Sequence, residues 1–400
     1  MENLIESIEF YDYKPPLSEK FDNAGSEFPI TAYNEDIVTQ PCKSLLVLRG
    51  KVEIKKGTDA VPIPNNLTTF NFVTNGLLHL FDRIDYYIGD NKIDSIRKPG
   101  VATTMKGLVC FETDLKYNNA GWNINSPNTV MVNSDGYFSQ CIPLSIVMGF
   151  FEDYKRFLFR MPQKLVFYRN TGSNSNCYIT TYGTDHSITL TLSDIVWRMP
   201  QIKFNLDYET KIRNDILKNT NYDLEYRRWW HQSISGLKGS EYSWDIPVAY
   251  ARTKYVLLAF QHDRINKPGI DNSKFDFMDL ENVQVQLNNS TVYPRERLNL
   301  KFNEYRCSNL YNMFKKFKSS YYDCDEDSVD PLFTYQKFLT DYPIIAIDCS
   351  FQPDVIKNTL INIRINFAWR EDINGNTMIH CLLITDDKAV YNPLNTRVIH

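Results

Sequence analysis

The stretch whose residue types suggest nucleophilic catalysis is Asp185-His186-Ser187. An acid, a histidine and a serine form a hydrolytic relay when each side chain hydrogen-bonds to the next. Side chains alternate between the two faces of an extended segment, so His186 would point away from the other two. We therefore expect a turn or the entry to a strand here rather than a hydrolase site.

Candidate metal ligands are concentrated in DCDEDSVD at 323–330, where Asp323, Asp325 and Asp327 could offer oxygens to calcium. The run lacks the glycine and the later bidentate glutamate of an EF-hand loop, which favours a solvated loop. The histidines show neither H-E-x-x-H nor a paired Cys/His spacing, which argues against a zinc enzyme. Phosphate-binding glycine motifs are absent too, and we expect no cofactor.

Two clusters combine cationic and aromatic residues. The first, MFKKFK, is flanked by tyrosines and forms a candidate basic surface that could contact nucleic acid, with Lys315, Lys316 and Lys318. Its alternative is an amphipathic helix whose apolar side is core. The second is a candidate subunit interface, because adjacent tryptophans in an extended chain cannot both face one core. It consists of Arg227, Arg228, Trp229 and Trp230, and its alternative is core packing beneath a loop.

Carboxylate pairs such as Glu152 and Asp153, or Asp207 and Glu209, could act as acid and base in glycoside hydrolysis. Nothing in their spacing selects any of them. The absence of a convergent set of catalytic residues favours a structural or binding role and indicates no enzyme.

Composition narrows the class of protein further. A chain of 400 residues with 43% hydrophobic content can fill one large core or two ordinary ones. Its 24 phenylalanines and 25 tyrosines suit flat cores between sheets. The formal net charge is −4, so any contact with nucleic acid would be local. No secretory signal or membrane span is indicated, and eight scattered cysteines favour reduced thiols.

The elements that must position these residues are mostly strands. Short segments rich in β-branched and aromatic residues, each bounded by Gly, Pro, Asn or Asp, fall into two sets, which is typical of a sandwich or barrel. The first set is 44–54, 83–90, 108–115, 128–133, 164–169 and 187–197. The second is 255–261, 283–287, 343–350, 359–369 and 378–385.

Helix signals are fewer. In 303–321 the apolar residues recur on one helical face, namely Leu310, Met313, Phe314, Phe317 and Tyr321. Asp330-Pro331 has the pattern of an N-cap followed by proline at the first helical position, opening a second helix at 331–340. A connecting helix at 207–219 and a domain boundary near residue 206 complete the prediction.

The strand VQVQL at 283–287 and the polar turn after it have a counterpart earlier in the chain. Without a gap, 283–292 aligns with 84–93, so that apolar positions coincide and the turn NNST faces GDNK. We interpret the two as the same element in successive copies, although alternation before a polar turn is common in β proteins. SITLTLSDIVW and TLINIRINFAW form a further candidate pair at a different offset.

Four stretches together resemble the double jelly-roll capsid-like proteins encoded by polinton-type elements and related viruses of arthropods and other animals. They are ENVQVQLNNSTVYPRERLNL, YNMFKKFKSSYY, PLFTYQKFLTDYPIIAIDCSFQ and INIRINFAWREDI. The resemblance is clearest over 255–400 and looser over 40–205. It rests on strand and turn patterns, and no active-site residue belongs to it.

The resemblance implies an all-β fold of two tandem eight-stranded jelly rolls with a few short inserted helices. We expect an N-terminal arm at 1–40, a first roll at 41–206, a connecting helix and linker at 207–254, and a second roll at 255–400 with helical insertions at 303–340. The helices 303–321 and 331–340 would cover strand edges.

The resemblance also implies a viral or virus-like capsid role. Three chains would form a pseudo-hexagonal capsomer that tiles an icosahedral shell around double-stranded DNA, with minor capsid and penton proteins as further partners. The protein would be part of a virion assembled inside the host cell. Two alternatives remain: a glycoside hydrolase, and a β-sandwich carbohydrate-binding protein that uses Trp122, Trp229, Trp230 or Trp244 as stacking platforms.

Overall fold

The computed structural model describes residues 4–16, 23–32, 38–63, 69–125, 132–288, 291–352, 360–373 and 375–399. The main strands of the first half are β1 (Ile5–Tyr13), β2 (Glu27–Ala32), β3 (Leu45–Lys56), β4 (Phe81–Ile88), β5 (Asn91–Arg97), β6 (Tyr137–Pro143), β7 (Gln163–Arg169) and β8 (His186–Phe204). Those of the second are β9 (Tyr222–Ser235), β10 (Gly239–Asp245), β11 (Thr253–His262), β12 (Leu280–Leu287), β13 (Thr291–Tyr293), β14 (Ile345–Asp348), β15 (Ile363–Ile373) and β16 (Thr377–Asn392).

Strand order defines the fold. In the first half the antiparallel neighbours run β1-β8-β3-β6 in one sheet and β2-β7-β4-β5 in the other. The second half repeats both orders with every number raised by eight: β9-β16-β11-β14 and β10-β15-β12-β13. Two such facing sheets of four strands make a jelly roll. The predicted all-β fold of two tandem eight-stranded jelly rolls is confirmed.

Shorter strands extend these sheets or form two-stranded ribbons. They are Val38–Thr39, Asp59–Val61, Phe70–Phe72, Leu158–Phe159, Tyr178–Thr180, Tyr250–Ala251, Leu360–Ile361 and Arg397–Ile399. Short 3₁₀ helices lie at Pro41–Lys43, Gly76–Leu80, Leu115–Ala120, Leu144–Ile146, Asn174–Cys177, Phe302–Glu304 and Glu326–Ser328.

The predicted repeat of 84–88 in 283–287 agrees with the strand order, because β4 and β12 occupy the same place in their sheets. Alternate residues of both strands point into the core and are fully buried: Ile84, Tyr86 and Ile88 in β4, and Val283, Val285 and Leu287 in β12. A side-chain period of two places every second residue on one face, so the shared pattern reflects a shared position.

The second candidate pair is wrong. SITLTLSDIVW lies in β8, whose counterpart is β16, whereas most of TLINIRINFAW lies in β15, the counterpart of β7. Long alternating strands look alike in sequence whichever sheet they join, because alternation reports burial of one face and not the neighbours along the edges.

Five α-helices interrupt the sheets in the described residues: α1 (Pro99–Cys110), α2 (Gly149–Asp153), α3 (Leu206–Leu217), α4 (Ser308–Tyr322) and α5 (Tyr335–Asp341). The prediction of a strand at 108–115 is wrong, because residues 108–110 form the C-terminal end of α1. Every residue of α1 except Val101 is buried. A helix buried on all sides shows a continuous apolar run, which periodicity cannot distinguish from a buried strand. The strand predicted at 128–133 lies mostly outside the described residues.

The three predicted helices are present, but each begins at a different residue from the one predicted. α4 begins at Ser308 and buries the apolar face that its sequence predicts. α5 begins at Tyr335, not Pro331, because the hydroxyl of Thr334 caps it by accepting a hydrogen bond from the backbone N–H of Lys337. The connecting helix α3 is capped by Asn205, whose side chain accepts from the backbone N–H of Tyr208 at 2.9 Å.

Two domain limits differ from those predicted. The described strands within 1–40 do not form a separate arm, since β1 pairs with β8 and β2 with β7. The linker is also shorter than 207–254, because β9 and β10 pair with β16 and β15 in the second roll. β1 is mostly exposed along its length, so it lacks the alternating burial that would mark it as part of a sheet.

α4 lies along the sheet edge formed by β14. The Ser320 hydroxyl donates to Asp348 at 2.5 Å, and Tyr255 donates to the carbonyl oxygen of Ser320 at 3.0 Å. An edge strand exposes unpaired backbone groups, and covering it with a helix limits unwanted pairing. This is the role predicted for 303–321.

Candidate functional site at the junction of the two jelly rolls

The two jelly rolls meet side by side, and several buried charged and polar residues lie between them. α1 and α2 of the first roll face α4 and β9 of the second. Tyr226 on β9 donates a hydrogen bond of 2.7 Å to the carbonyl oxygen of Ile93 on β5, so the rolls also bond directly. The sequence cluster 227–230 follows Tyr226 on β9 and therefore falls in this junction.

Arg227 joins the rolls through an ion pair. Its Nε and Nη2 donate to the two carboxylate oxygens of Asp153 at 2.8 and 2.5 Å, and its backbone N–H donates to Asp153 at 2.8 Å. The guanidinium carbon lies 3.5 Å from the ring centroid of Tyr321. Bidentate geometry of this kind fixes orientation as well as distance. Arg227 thereby holds α2, β9 and α4 in one arrangement.

A second buried ion pair lies next to the first. Lys106 on α1 is 3% exposed, and its ammonium lies 3.1 Å from Glu152. Glu152 also accepts hydrogen bonds from the hydroxyls of Tyr321 and Tyr322, at 2.5 and 2.6 Å. Burial acts to lower the pKa of Lys106, but Cys110 and Glu152 raise it above its usual value. The ammonium is thus kept charged away from bulk water.

Arg228 lies near two other carboxylates, those of Asp387 and Asp94. Its Nη1 lies 3.0 Å from Asp387, and its Nε lies 3.8 Å from Asp94 on β5 of the first roll. Burial raises the pKa of Asp94 to about 6, against the opposing effects of Arg228 and of hydrogen bonds from the backbone N–H groups of Phe150 and Ser95. The guanidinium carbon of Arg228 lies 4.0 Å from the Trp230 ring, whose Nε1 donates to Thr385.

The cluster 227–230 is therefore an interface within one chain. Trp229 is 2% exposed, and the side chains of Arg227 and Arg228 are 18% and 13% exposed. Aromatic and arginine residues give the same sequence signal at either kind of interface, which is why the pattern could not tell one from the other. A contact of this cluster with a second chain stays a prediction.

Three buried histidines form another part of the junction. His380 Nε2 lies 3.0 Å from Gln261 Oε1, which can only accept, so His380 Nδ1 accepts from His231 Nε2 at 3.1 Å. His79 of the first roll packs against α1, where a Cβ added to Gly100 would lie 2.4 Å from its ring. Burial lowers the pKa of His79 to about 4 and that of His231 to about 3, helped by Lys98. Burial also lowers the pKa of His380.

The candidate basic surface is not a continuous one. Lys318 is buried, and its ammonium lies 2.6 Å from Glu112 of the first roll. Lys316 lies 3.3 Å from Glu326, and Lys315 is exposed beside Tyr311. Lys318 is buried because Glu112 of the first roll covers that side of α4. The alternative prediction, an amphipathic helix with an apolar side in the core, describes α4 better.

The other candidate sites make local contacts within their own segments. His186 Nδ1 lies 2.8 Å from Asp185, contrary to the expected opposite faces, because Asp185 belongs to the turn before β8. Asp325 accepts from the backbone N–H of Asp327 and caps a 3₁₀ helix. Within the described ranges, no group of three His, Cys, Asp or Glu residues could hold a metal ion.

The tryptophans proposed as sugar platforms are not available for stacking. Trp122, Trp229 and Trp244 are buried, and Trp230 is partly covered by Arg228 and Thr385. Carbohydrate binding of the expected kind needs an exposed indole face. In the part of the chain that the structure describes, no helix is long and apolar enough to cross a membrane.

The family model of the double jelly roll-like domain matches residues 70–390. The chain belongs to this family. The double jelly-roll chain has similar solved structures as well. The virophage Sputnik structure from cryo-EM matches with a TM-score of 0.61 and 8% identity over 99% of this chain and 88% of the other.

Two further solved structures are similar to this chain to about the same degree. The mavirus major capsid protein matches with a TM-score of 0.58 and 9% identity, covering 98% of this chain and 89% of its own. PBCV-1 VP54, as fitted into a cryo-EM reconstruction of Sputnik, matches with a TM-score of 0.59 and 11% identity over 96% and 94%. At such identities the likeness shows the fold. A sequence search of curated proteins gave no match for this double jelly-roll chain.

Several residues of the junction were not selected from the sequence. The sequence suggests Glu152 and Asp153 only as one of several possible acid and base pairs, and no sequence pattern selects Lys106, Asp94 or the buried histidines. Lys106 stands in the run VATTMKGLVC, where a single charge amid small and apolar residues could have signalled a buried ion pair. Its partner Glu152 lies 46 residues away, a separation that no local pattern reveals.

Proposed function

We propose that this chain is a viral or virus-like major capsid protein that acts by self-assembly. The observation that carries the proposal is the repeated strand order of two tandem eight-stranded jelly rolls. It is supported by the match to the double jelly roll-like domain family and by the fold shared with the mavirus major capsid protein. The proposed location is the virion, and no catalytic step is part of the proposal.

The proposed assembly unit is a trimer. Two rolls held side by side in each chain give six rolls in three chains, and rolls of equal strand order supply an approximately hexagonal outline. The junction fixes the angle between the rolls through buried ion pairs such as Arg227 with Asp153, which suits a subunit that must tile a shell. Further copies, minor capsid or penton proteins and enclosed double-stranded DNA are the proposed partners.

Analytical ultracentrifugation and negative-stain electron microscopy of the purified chain test the proposal. We expect particles of three times the chain mass of 46.8 kDa, with a hexagonal outline. A protein that stays monomeric at every concentration and salt tested would contradict it. Selective binding of glycans by that monomer would instead favour the carbohydrate-binding alternative.

A further inference from the structure

A cleft of about 640 Å³ lies at the junction beside the Lys106–Glu152 pair. Its walls come from both rolls: α1, α2 and the 3₁₀ helix Pro41–Lys43 on one side, and β9 and α4 on the other. Phe111, Ile146 and Phe151 make its apolar part. A volume of this size is typical of pockets for small ligands.

The cleft lining carries more positive than negative charge. Five lysines face two carboxylates, Glu112 and Glu152, which leaves an excess of three positive charges. The lysines are Lys43, Lys106, Lys116, Lys155 and Lys318. Lys106 pairs with Glu152 and Lys318 with Glu112. In the described residues, the three other ammonium groups have no carboxylate within salt-bridge distance, and all three side chains are exposed.

Two of these free lysines share one wall. Gln40 Nε2 donates to the carbonyl oxygen of Lys155 at 3.0 Å, which ties that backbone to the segment just before Lys43. Burial raises the pKa of the Cys42 thiol, and Lys43 and Lys155 both oppose that rise. Their positive charges therefore act on the same point of the cleft.

The buried carboxylate of the cleft already has partners, whereas one buried donor among the lining residues has none. Glu152 already accepts from Lys106, Tyr321 and Tyr322. The indole N–H of Trp229 is buried, lines the cleft and has no acceptor among the described residues. An unpaired buried donor costs free energy unless a ligand or water supplies an acceptor. The cleft thus presents unpaired positive charge to whatever enters it.

We propose that this cleft binds the phosphate groups of a multiply charged anion. Phosphate is favoured over carboxylate because the described lining contains lysines and no arginine. Lysine binds phosphate as a point charge, whereas carboxylates are matched best by the arginine fork. The phosphate could belong to a free oligophosphate or to a nucleic-acid backbone.

The test uses the full-length chain with tripolyphosphate as the probe, sodium chloride at equal ionic strength as the reference, and a short DNA duplex in a separate arm. Binding is measured by titration calorimetry and by the shift in melting temperature. We expect tripolyphosphate to bind once per chain and to raise the melting temperature. The double variant Lys43→Gln/Lys155→Gln should bind about tenfold more weakly or worse.

The matched control is Lys211→Gln/Lys238→Gln, which removes the same charge from exposed positions outside the cleft. It should bind tripolyphosphate like the unaltered chain, and both double variants should melt unchanged without ligand. Binding of tripolyphosphate alone identifies a free oligophosphate as the ligand class. Duplex binding that weakens only in the cleft variant identifies the nucleic-acid backbone.

Absence of binding by both probes would overturn the proposal. So would binding that both double variants weaken equally, because that would report the net charge of the protein and not the cleft. None of these outcomes bears on the proposed capsid role, which the oligomeric state tests separately.

Discussion

Arg227 and Asp153 show how single residues hold the two jelly rolls together. Each side chain is less than one-fifth exposed, with values of 18% and 16%, and the guanidinium makes two parallel hydrogen bonds to the carboxylate. A charge that loses its partner in such a place is left poorly solvated. Burial of an ion pair is favourable only while both partners are present.

Replacing Arg227 by alanine should therefore destabilise the protein strongly. We expect the free energy of unfolding to fall by about 3–5 kcal/mol, because Asp153 keeps its charge but loses its cationic partner and retains only the hydrogen bond from the backbone N–H of residue 227. Urea unfolding measures the change. The control is Arg364→Ala, which breaks the exposed bidentate pair with Asp245 and should leave the urea midpoint unchanged. Equal losses of stability in the two variants would show that the buried junction pair stabilises the protein no more than an exposed ion pair does.

The three junction histidines predict a loss of stability in acid. An unfolded histidine takes up a proton near pH 6.5, whereas burial lowers the pKa of His79 to about 4 and of His231 to about 3. As pH falls below 6.5 the unfolded state binds more protons than the folded state, so the free energy of unfolding decreases. Asp94 acts oppositely, since its pKa of about 6 makes the folded state take up a proton first.

The variant His79→Phe isolates the contribution of one histidine to this pH dependence. The ring is buried and its Nε2 has no partner in the described residues, so phenylalanine should be tolerated at neutral pH. Between pH 6.5 and 5 the variant should lose about 2 kcal/mol less stability than the unaltered chain. Chemical unfolding at a series of pH values gives the slope of stability against pH for each protein. Asp94 contributes equally to the two slopes, so their difference reports His79. Parallel slopes would mean that His79 titrates normally in the folded protein.

At the scale of elements, the junction depends on how closely α2 approaches β9. Gly149 opens α2, and a Cβ added there would lie 1.7 Å from the carbonyl oxygen of Arg227. Only glycine allows this contact between backbones. The sequence GFFED gives a short helix, but no local pattern says that its first residue touches a strand 78 positions later (227 − 149).

Gly149→Ala should separate these elements. Because the obstacle is backbone, which cannot rotate away, we expect a loss of about 3 kcal/mol or more in the free energy of unfolding. Gly269→Ala is the control, since its added Cβ would meet nothing closer than 3.9 Å and its φ is not positive. Urea unfolding of both variants measures the difference. A Gly149→Ala protein as stable as the control would show that α2 can shift without cost.

Sequence patterns identified most elements but not their limits. β4, β7, β8, β11 and β12 were predicted because each alternates or carries a long β-branched run. The sequence predicts an arm where β1 lies, because its partner β8 is more than 170 residues away and its own side chains are mostly exposed. α1 was taken for a strand at its end, because complete burial hides helical periodicity.

The whole molecule should unfold as one unit. A single cluster of buried side chains runs through both rolls, and ion pairs and hydrogen bonds cross between them. We expect tryptophan fluorescence and far-ultraviolet circular dichroism to report the same denaturation midpoint. Two separate transitions would show that the rolls are independent domains joined only by α3.

The sequence alone determined the class of the fold: two sets of short strands, and a strand and turn that recur. Alternation, turn residues and composition are local properties, so they can be seen without coordinates. Tertiary structure alone decided that 227–230 joins two rolls of one chain, that Lys106 meets Glu152, and that three histidines share a buried site. These contacts join residues far apart in the chain, and only the packing of one roll against the other brings them within bonding distance.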